Sequence, residues 1–263
     1  MADDPPAVTQ LPLPFAPARS FAAADLVPGS ANADARAWLA RWPDWPSLRL
    51  ALWGPEGSGK SHLAAIWRDR VGAVLLEGPS LGQGGPVAML DALAGQPGAV
   101  VEDADRAGDE RALLHLMNAL AEAGAGLLLT ARTPPARWPV ALPDLRSRLA
   151  ATASVAIAAP DEALVEAVLA KLLADRQVEV RPDLVAALAL RMPRDFATVH
   201  ALAAELDAAS LAAGQRVTRG IAAVALSRAM AVTGHAAPGP GDAADDNSVE
   251  QPAPPSPGQG SVL

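Results

Sequence analysis

The chain is 263 residues long, carries a formal net charge of -8 and contains no cysteine. A chain of this length holds one or two domains around a sizeable core, and the lack of cysteine excludes disulfide frameworks, zinc–thiolate sites and thiol nucleophiles. The acidic balance, with no Lys/Arg-rich segment, excludes strong autonomous binding to duplex DNA and leaves room for a local basic face only.

Residues 1–19 open on MADDPP, are rich in proline and show no helical period, which is the signature of a flexible arm. They do not read as a targeting peptide. No apolar run approaches the ~18 residues that cross a bilayer, so the expectation is a soluble, cytoplasmic protein with no membrane partner. The compact part is expected from residue 20. Strand-like runs follow at 48–53 (LRLALW), 73–77 (AVLLE), 99–103 (AVVED), 126–131 (GLLLTA) and 154–158 (SVAIA). Helical segments such as 61–70 and 110–122 separate them, and apolar strands alternating with helices predict an α/β fold with a parallel sheet covered on both faces. Past residue 159 the strand patterns stop. Segments 160–176, 182–191 and 195–213 carry apolar residues at helical spacing, and Thr218 reads as the N-cap of a last helix running through 229. From 233 the Pro, Gly, Ala, Asp and Ser composition cannot bury a core, which predicts a disordered tail.

The segment richest in chemistry is 54–61, GPEGSGKS, set between the first strand and a helix. It has the spacing G-x-x-x-x-G-K-[ST] of a phosphate-binding loop. Gly54, Gly57 and Gly59 let successive backbone N–H groups turn inward, with Pro55, Glu56 and Ser58 completing the loop and His62 following on the helix. Lys60 supplies a cation to the β/γ oxygens, and Ser61 offers a hydroxyl to Mg²⁺. A nucleoside phosphate is the implied ligand. The third strand ends in Glu102 and Asp103, and carboxylates at that place hold Mg²⁺ through water and orient the attacking water. The usual order is Asp then Glu. The reversal here assigns Glu102 to the metal beside Ser61 and Asp103 to water positioning, with solvated strand-end charges as the plain alternative. His62, His115 and His200 lack metal-ligand spacing, and the tryptophans read as core or rim packing rather than as a nucleic-acid stacking surface.

In this order the loop, the acidic strand end and the helical second part resemble the AAA+ ATPases, and within them the DnaA family. The matches run from residue 20 to about 229. SFAAADLVPGSAN (20–32) resembles the family's leading segment, which implies that Asp25, Leu26, Val27 and Asn32 line an adenine pocket. LLLTARTPP (127–135) resembles the strand and turn of the first nucleotide sensor; Arg132 stands at its acidic position, leaving Thr130 as the polar group nearest the phosphates. LPDLRSRL (142–149) resembles the segment that presents an arginine finger, with Arg148 as the finger and Arg146 on another helical face. A solvated surface charge is the alternative for both. The second sensor departs from the family pattern, since Ala197 holds the place of an Arg. Arg194, about one turn earlier, is the candidate substitute or else a helix-start charge. The resemblance implies an AAA+ module at 20–159, a helical lid domain at 160–231 and a tail at 232–263. Its ligands would be Mg²⁺ with ADP or ATP, the two nucleotides being left open.

DnaA initiators end in a helix-turn-helix that reads origin boxes, and nothing after 229 matches one. In front lies QLPLPF (10–15), similar to the hexapeptide with which bacterial replication proteins dock on the DNA polymerase III β sliding clamp. There the Gln10 amide is held by hydrogen bonds and Leu13 with Phe15 fills an apolar groove, Leu11 lying beside them. The combination resembles the Hda-type, DnaA-related AAA+ ATPases, which are negative regulators of replication initiation. It implies the clamp and DnaA as partners, DNA reached only through the clamp, and room for a homo-oligomer. Arg148 would stabilise the transition state of ATP hydrolysis on DnaA. A clamp-tethered helicase loader or scaffold ATPase is the alternative, and a small-molecule kinase is a third reading whose clustered basic lid the Ala-rich helices here do not show.

Overall fold

The computed structural model describes residues 22–213 and 216–235, and every structural statement below concerns those residues. Five strands form one sheet in the order β2-β3-β4-β1-β5. They are β1 (Arg49–Trp53), β2 (Val74–Glu77), β3 (Gly98–Glu102), β4 (Gly126–Ala131) and β5 (Ala153–Ala156). All pairs are parallel. The strands read as continuous apolar runs because both faces are covered. Side chains alternate between the two faces, so Leu50, Leu52, Val100 and Leu128 pack with α1 (Ala33–Ala40) and α2 (Lys60–Val71). Ala51, Ala99, Val101, Leu127 and Leu129 turn to the other face. There they meet α3 (Gly85–Leu93), α4 (Glu110–Glu122) and α5 (Pro143–Ala150).

Local chemistry explains where the elements begin. Asp109 caps α4 by accepting from the N–H groups of Arg111 and Ala112, and Leu113, Leu116, Met117 and Leu120 then fall on one buried face. Beyond β5 the chain is helical: α6 (Glu162–Asp175), α7 (Pro182–Arg191), α8 (Phe196–Ala213) and α9 (Arg219–Val232). These four share a core of their own built on Val165, Leu169, Leu188, Val199, Leu206 and Leu226. Asp161 caps α6 and Thr218 caps α9, each side chain accepting an N–H from the first turn. No described helix is long and apolar enough to cross a membrane.

Two differences from the sequence reading concern the site. The third strand stops at Glu102, one residue early, because Asp103 takes a left-handed backbone with φ 49. Three short helices, α1, α3 and α5, carry no clear period in sequence; in α3 only Met89 and Leu93 are buried while Val87 and Leu90 face solvent.

At the amino ends of the strands three tryptophans interlock. Trp42, Trp45 and Trp67 have ring centroids 4.9 to 5.3 Å apart, and Trp45 Nε1 donates to the Trp38 carbonyl at 2.7 Å. Such packing is worth more than its buried area, and it needs sheet positions without side chains. A Cβ on Gly126 would lie 2.6 Å from Trp42 Cζ3. Gly126→Ala is therefore expected to destabilise the fold by about 1–3 kcal/mol, the usual effect of overpacking. Urea denaturation measures it, and an unchanged midpoint would mean that the ring is not wedged against the strand.

Candidate nucleotide-binding site

β1 ends at Trp53, and the loop Gly54–Gly59 leaves its carboxyl end to enter α2 at Lys60. This is the place where open parallel sheets bind ligands. Gly57 and Gly59 have φ of 71 and 92, a region that favours glycine. Lys60 is buried; its Nζ donates to the carbonyls of Gly54 at 2.9 Å and Pro55 at 2.6 Å. Burial lowers its pKa, while Asp103 and Asp105 pull it back up. Ser58 Oγ is buried and has no hydrogen-bond partner.

Across the loop, Ser61 Oγ donates to Glu102 Oε2 at 2.7 Å. The two residues assigned to the metal are thus brought together. Glu77, which pairs with Glu102 in the β2–β3 register, lies beside them. Burial, followed by the charges of Glu102 and Asp103, pushes the Glu77 carboxyl up. Sequence reasoning passed over Glu77, though its place at the end of an apolar run was the available signal. Asp103, left-handed, donates its N–H to Thr130 Oγ1 at 3.1 Å, so the Thr130 hydroxyl pins the acidic turn. The hydroxyl keeps its own proton to donate while it accepts this bond. Asp105 was also missed: its Oδ2 accepts the Arg132 N–H at 3.0 Å, and its Oδ1 is buried without a partner. The Arg132 guanidinium reaches Glu56 of the loop at 3.0 Å, a second cation beside Lys60.

The leading segment and the helical unit are joined by several side chains. The Asn32 amide braces its own turn, donating to Val27 O at 3.1 Å and accepting from Gly29 N at 3.2 Å. Asp25 pairs with Lys171 of α6 at 2.6 Å, and Ser30 donates to Asp161 at 2.8 Å, which ties the segment to the helical unit. Leu26 packs into the α1–α2 core. His62 Nε2 lies 3.1 Å from Ala22 O and holds the segment against α2. Arg194 turns to Glu162 at 4.0 Å and its side chain is 63% exposed. What touches the loop is the start of α8: Phe196 N–H donates to Gly57 O at 3.0 Å, and its ring lies against Gly59.

Arg148 sits on α5, 3.3 Å from Asp144. Glu110 accepts from the N–H groups of Ala141 and Leu142 and so fixes the approach to α5, which holds its carboxyl below the usual range. Arg146 donates to Val140 O at 2.6 Å and serves that same turn. The clamp-motif residues Gln10, Leu11, Leu13 and Phe15 lie outside the described residues.

No family model matches the chain and no curated protein does. Solved structures do. Domain III of the Thermotoga maritima replication initiation protein DnaA aligns at a TM-score of 0.69 and 17% identity, covering 79% of this chain and 96% of that one. The fold is that of a DnaA-like AAA+ ATPase. The replication initiator DnaA bound to AMPPCP and single-stranded DNA aligns at 0.55 and 14% identity, covering 79% and 80% of the two chains. The Thermotoga maritima RuvB Holliday junction branch migration motor aligns at 0.56 and 16%, covering 76% and 68%. At such identities the likeness is one of AAA+ architecture.

The loop fits a nucleotide polyphosphate with Mg²⁺. A serine hydroxyl and a carboxylate at 2.7 Å are the hard oxygen donors that this ion takes alongside phosphate oxygens and water. No group of three His, Cys, Asp or Glu among the described residues is gathered for a metal, so such an ion would rest on Ser61, Glu102 and the ligand itself. Lys60→Ala removes the loop's own cation. It is expected to weaken ADP binding roughly 100-fold, in line with the loss of charge-assisted hydrogen bonds. Calorimetric titration checks this, and unchanged affinity would refute the assignment of the loop.

Proposed function

We propose that this chain is a regulatory AAA+ ATPase of the DnaA-related class, which binds ADP or ATP with Mg²⁺ and makes DnaA hydrolyse its own ATP, thereby restraining replication initiation. The observation that carries the reading is the placement of Arg148. Thr152 Oγ1 donates to its carbonyl at 2.9 Å, and Ala153, the next residue, pairs with Leu50 at the amino end of β1, whereas the phosphate loop begins at Gly54, five residues past the start of that strand. At about 3.3 Å per residue that separation is roughly 16 Å. That distance keeps Arg148 from its own chain's loop and supports a role on a partner's nucleotide. The DnaA structure carrying AMPPCP lends support to a nucleotide at the corresponding loop.

In the proposed reaction, negative charge builds on the departing γ-phosphate of the partner's ATP. A planar guanidinium delivered in trans stabilises it, an effect on the order of 10³ to 10⁵ in rate. The chain's own loop has a separate task. Lys60 and Ser61 hold the resident nucleotide, Glu102 takes its metal, and Asp103, fixed by Thr130, is the group available to orient water. The arm at 10–15 would tether the chain to the sliding clamp, raising the local concentration of Arg148 on loaded DNA.

Two measurements test this. Arg148→Ala should keep clamp and nucleotide binding and lose most stimulation of DnaA ATP hydrolysis. Arg148→Lys should fail too, since an ammonium lacks the planar fork. Single-turnover phosphate release from DnaA with clamp and DNA present is the assay; full stimulation by Arg148→Ala would remove the trans mechanism, and no stimulation by the parent would favour a clamp-tethered loader or scaffold. For the tether, a peptide spanning residues 9–16 should bind the clamp at micromolar strength and lose it when Leu13 and Phe15 become Ala. Surface plasmon resonance showing equal clamp binding with and without residues 1–19 would rule it out.

A further inference from the structure

The helical unit holds a polar cluster to which the proposed function gives no task. Asp195 caps α8: its Oδ1 accepts the Thr198 N–H and its Oδ2 the Thr198 hydroxyl, each at 2.8 Å. Thr198 is wholly buried. Its Oγ1 also meets Thr233 Oγ1, just past the end of α9, at 3.0 Å, and His235 Nε2 stands 3.9 Å from the same Asp195 carboxylate. Buried hydroxyls cost free energy unless they are paired. One acid and two threonines therefore fix the first turn of α8 against the last turn of α9.

The cluster sits directly over the phosphate loop. A Cβ on Gly57 would lie 2.8 Å from Asp195 Cβ, and one on Gly59 would lie 3.2 Å from the Phe196 ring. Phe196 follows Asp195 as the first residue of α8, and the first N–H of a helix has no partner inside it. Here that N–H is given to Gly57 O at 3.0 Å. A peptide unit is planar and trans, so the Ser58 N–H, which shares its unit with the Gly57 carbonyl, points the opposite way. It faces into the loop, where it meets Pro55 O at 3.4 Å, longer than a firm hydrogen bond. Gly57, with φ of 71, is a residue at which such a unit turns over easily.

We infer that Asp195, Thr198 and Thr233 form a clasp, which keeps the Phe196 N–H on the Gly57 carbonyl and so aims the Ser58 N–H at the phosphates of the resident nucleotide. Asp195 and Thr198 are positioning residues that act through one backbone bond. Without the clasp the Gly57–Ser58 unit is free to turn over, and a carbonyl oxygen then faces the phosphate where a donor is needed. The inference rests on the reading of 54–61 as a nucleotide-binding loop and extends it: the helical unit contributes to phosphate binding with no side chain of its own on the phosphate.

The test uses full-length protein, with circular dichroism confirming the fold. Thr198→Val keeps the shape and removes the hydroxyl, Thr198→Ser keeps the hydroxyl, and Thr233→Val breaks the clasp from the α9 side. Dissociation of a fluorescent ADP analogue in Mg²⁺, followed by stopped flow, should speed up roughly 10-fold in Thr198→Val, in line with a hydrogen bond to a charged group. Thr233→Val should show a smaller increase, and Thr198→Ser should return close to the parent. Hydrogen exchange at the Phe196 amide, read by NMR without nucleotide, should quicken in the same order. A purely structural threonine would lower the melting temperature when replaced and leave the dissociation rate as it was. If Thr198→Val does not fold, Thr233→Val decides alone. ADP dissociation or Phe196 exchange indifferent to the Val variants overturns the clasp and leaves the loop assignment standing; a parent that holds no ADP overturns the loop assignment and the clasp with it.

Discussion

The central position of β1 is the constraint on which the rest depends. It lies between β4 and β5 with Leu50, Ala51 and Leu52 wholly buried, so its direction and register cannot slip without exposing one face of the core. A rigid parallel strand has two chemically different ends. One delivers Gly54 and the loop to the mouth where Glu102, Asp103 and Thr130 converge; the other delivers Arg49 to the base of α5. The tryptophan group fixes the amino ends of β3 and β4 through Gly98 and Gly126, while polar contacts such as Ser61–Glu102 and Asp103–Thr130 shape the carboxyl ends.

What was legible in the sequence follows from how strongly each segment repeats. β4 reads at once because all six of its residues are buried, and α4 because its buried leucines keep one face. α3 was not legible, since it begins on Gly85-Pro86 and buries only two residues, leaving little for a period to show. The loop was legible as a motif, for spacing alone demands its glycines. The pairing of Ser61 with Glu102 could be anticipated from chemistry once the reversed acidic order was noticed. Contacts between distant segments were not. Nothing in the string SAN shows that Asn32 closes back on Val27, or that Asp25 looks for Lys171 across 146 positions.

The leading segment works as a strap. Through Asp25, Ser30 and the Gly29 contact with Leu164 it holds α6 beside the loop, while α8 reaches the same loop from above. Surface ion pairs are individually weak, so the strap owes its hold to several contacts shared along one short stretch and not to any single bond.

The contact of α8 with the loop has a consequence for signalling. It consists of a backbone N–H on the Gly57 carbonyl and an aromatic ring on Gly59, with no cation reaching forward. This contact carries no charge; what it follows is the backbone shape of the loop. Whatever alters the turn at Gly57 and Gly59 is thereby passed to the first residue of an 18-residue helix, so the loop and the helical unit share one mechanical joint.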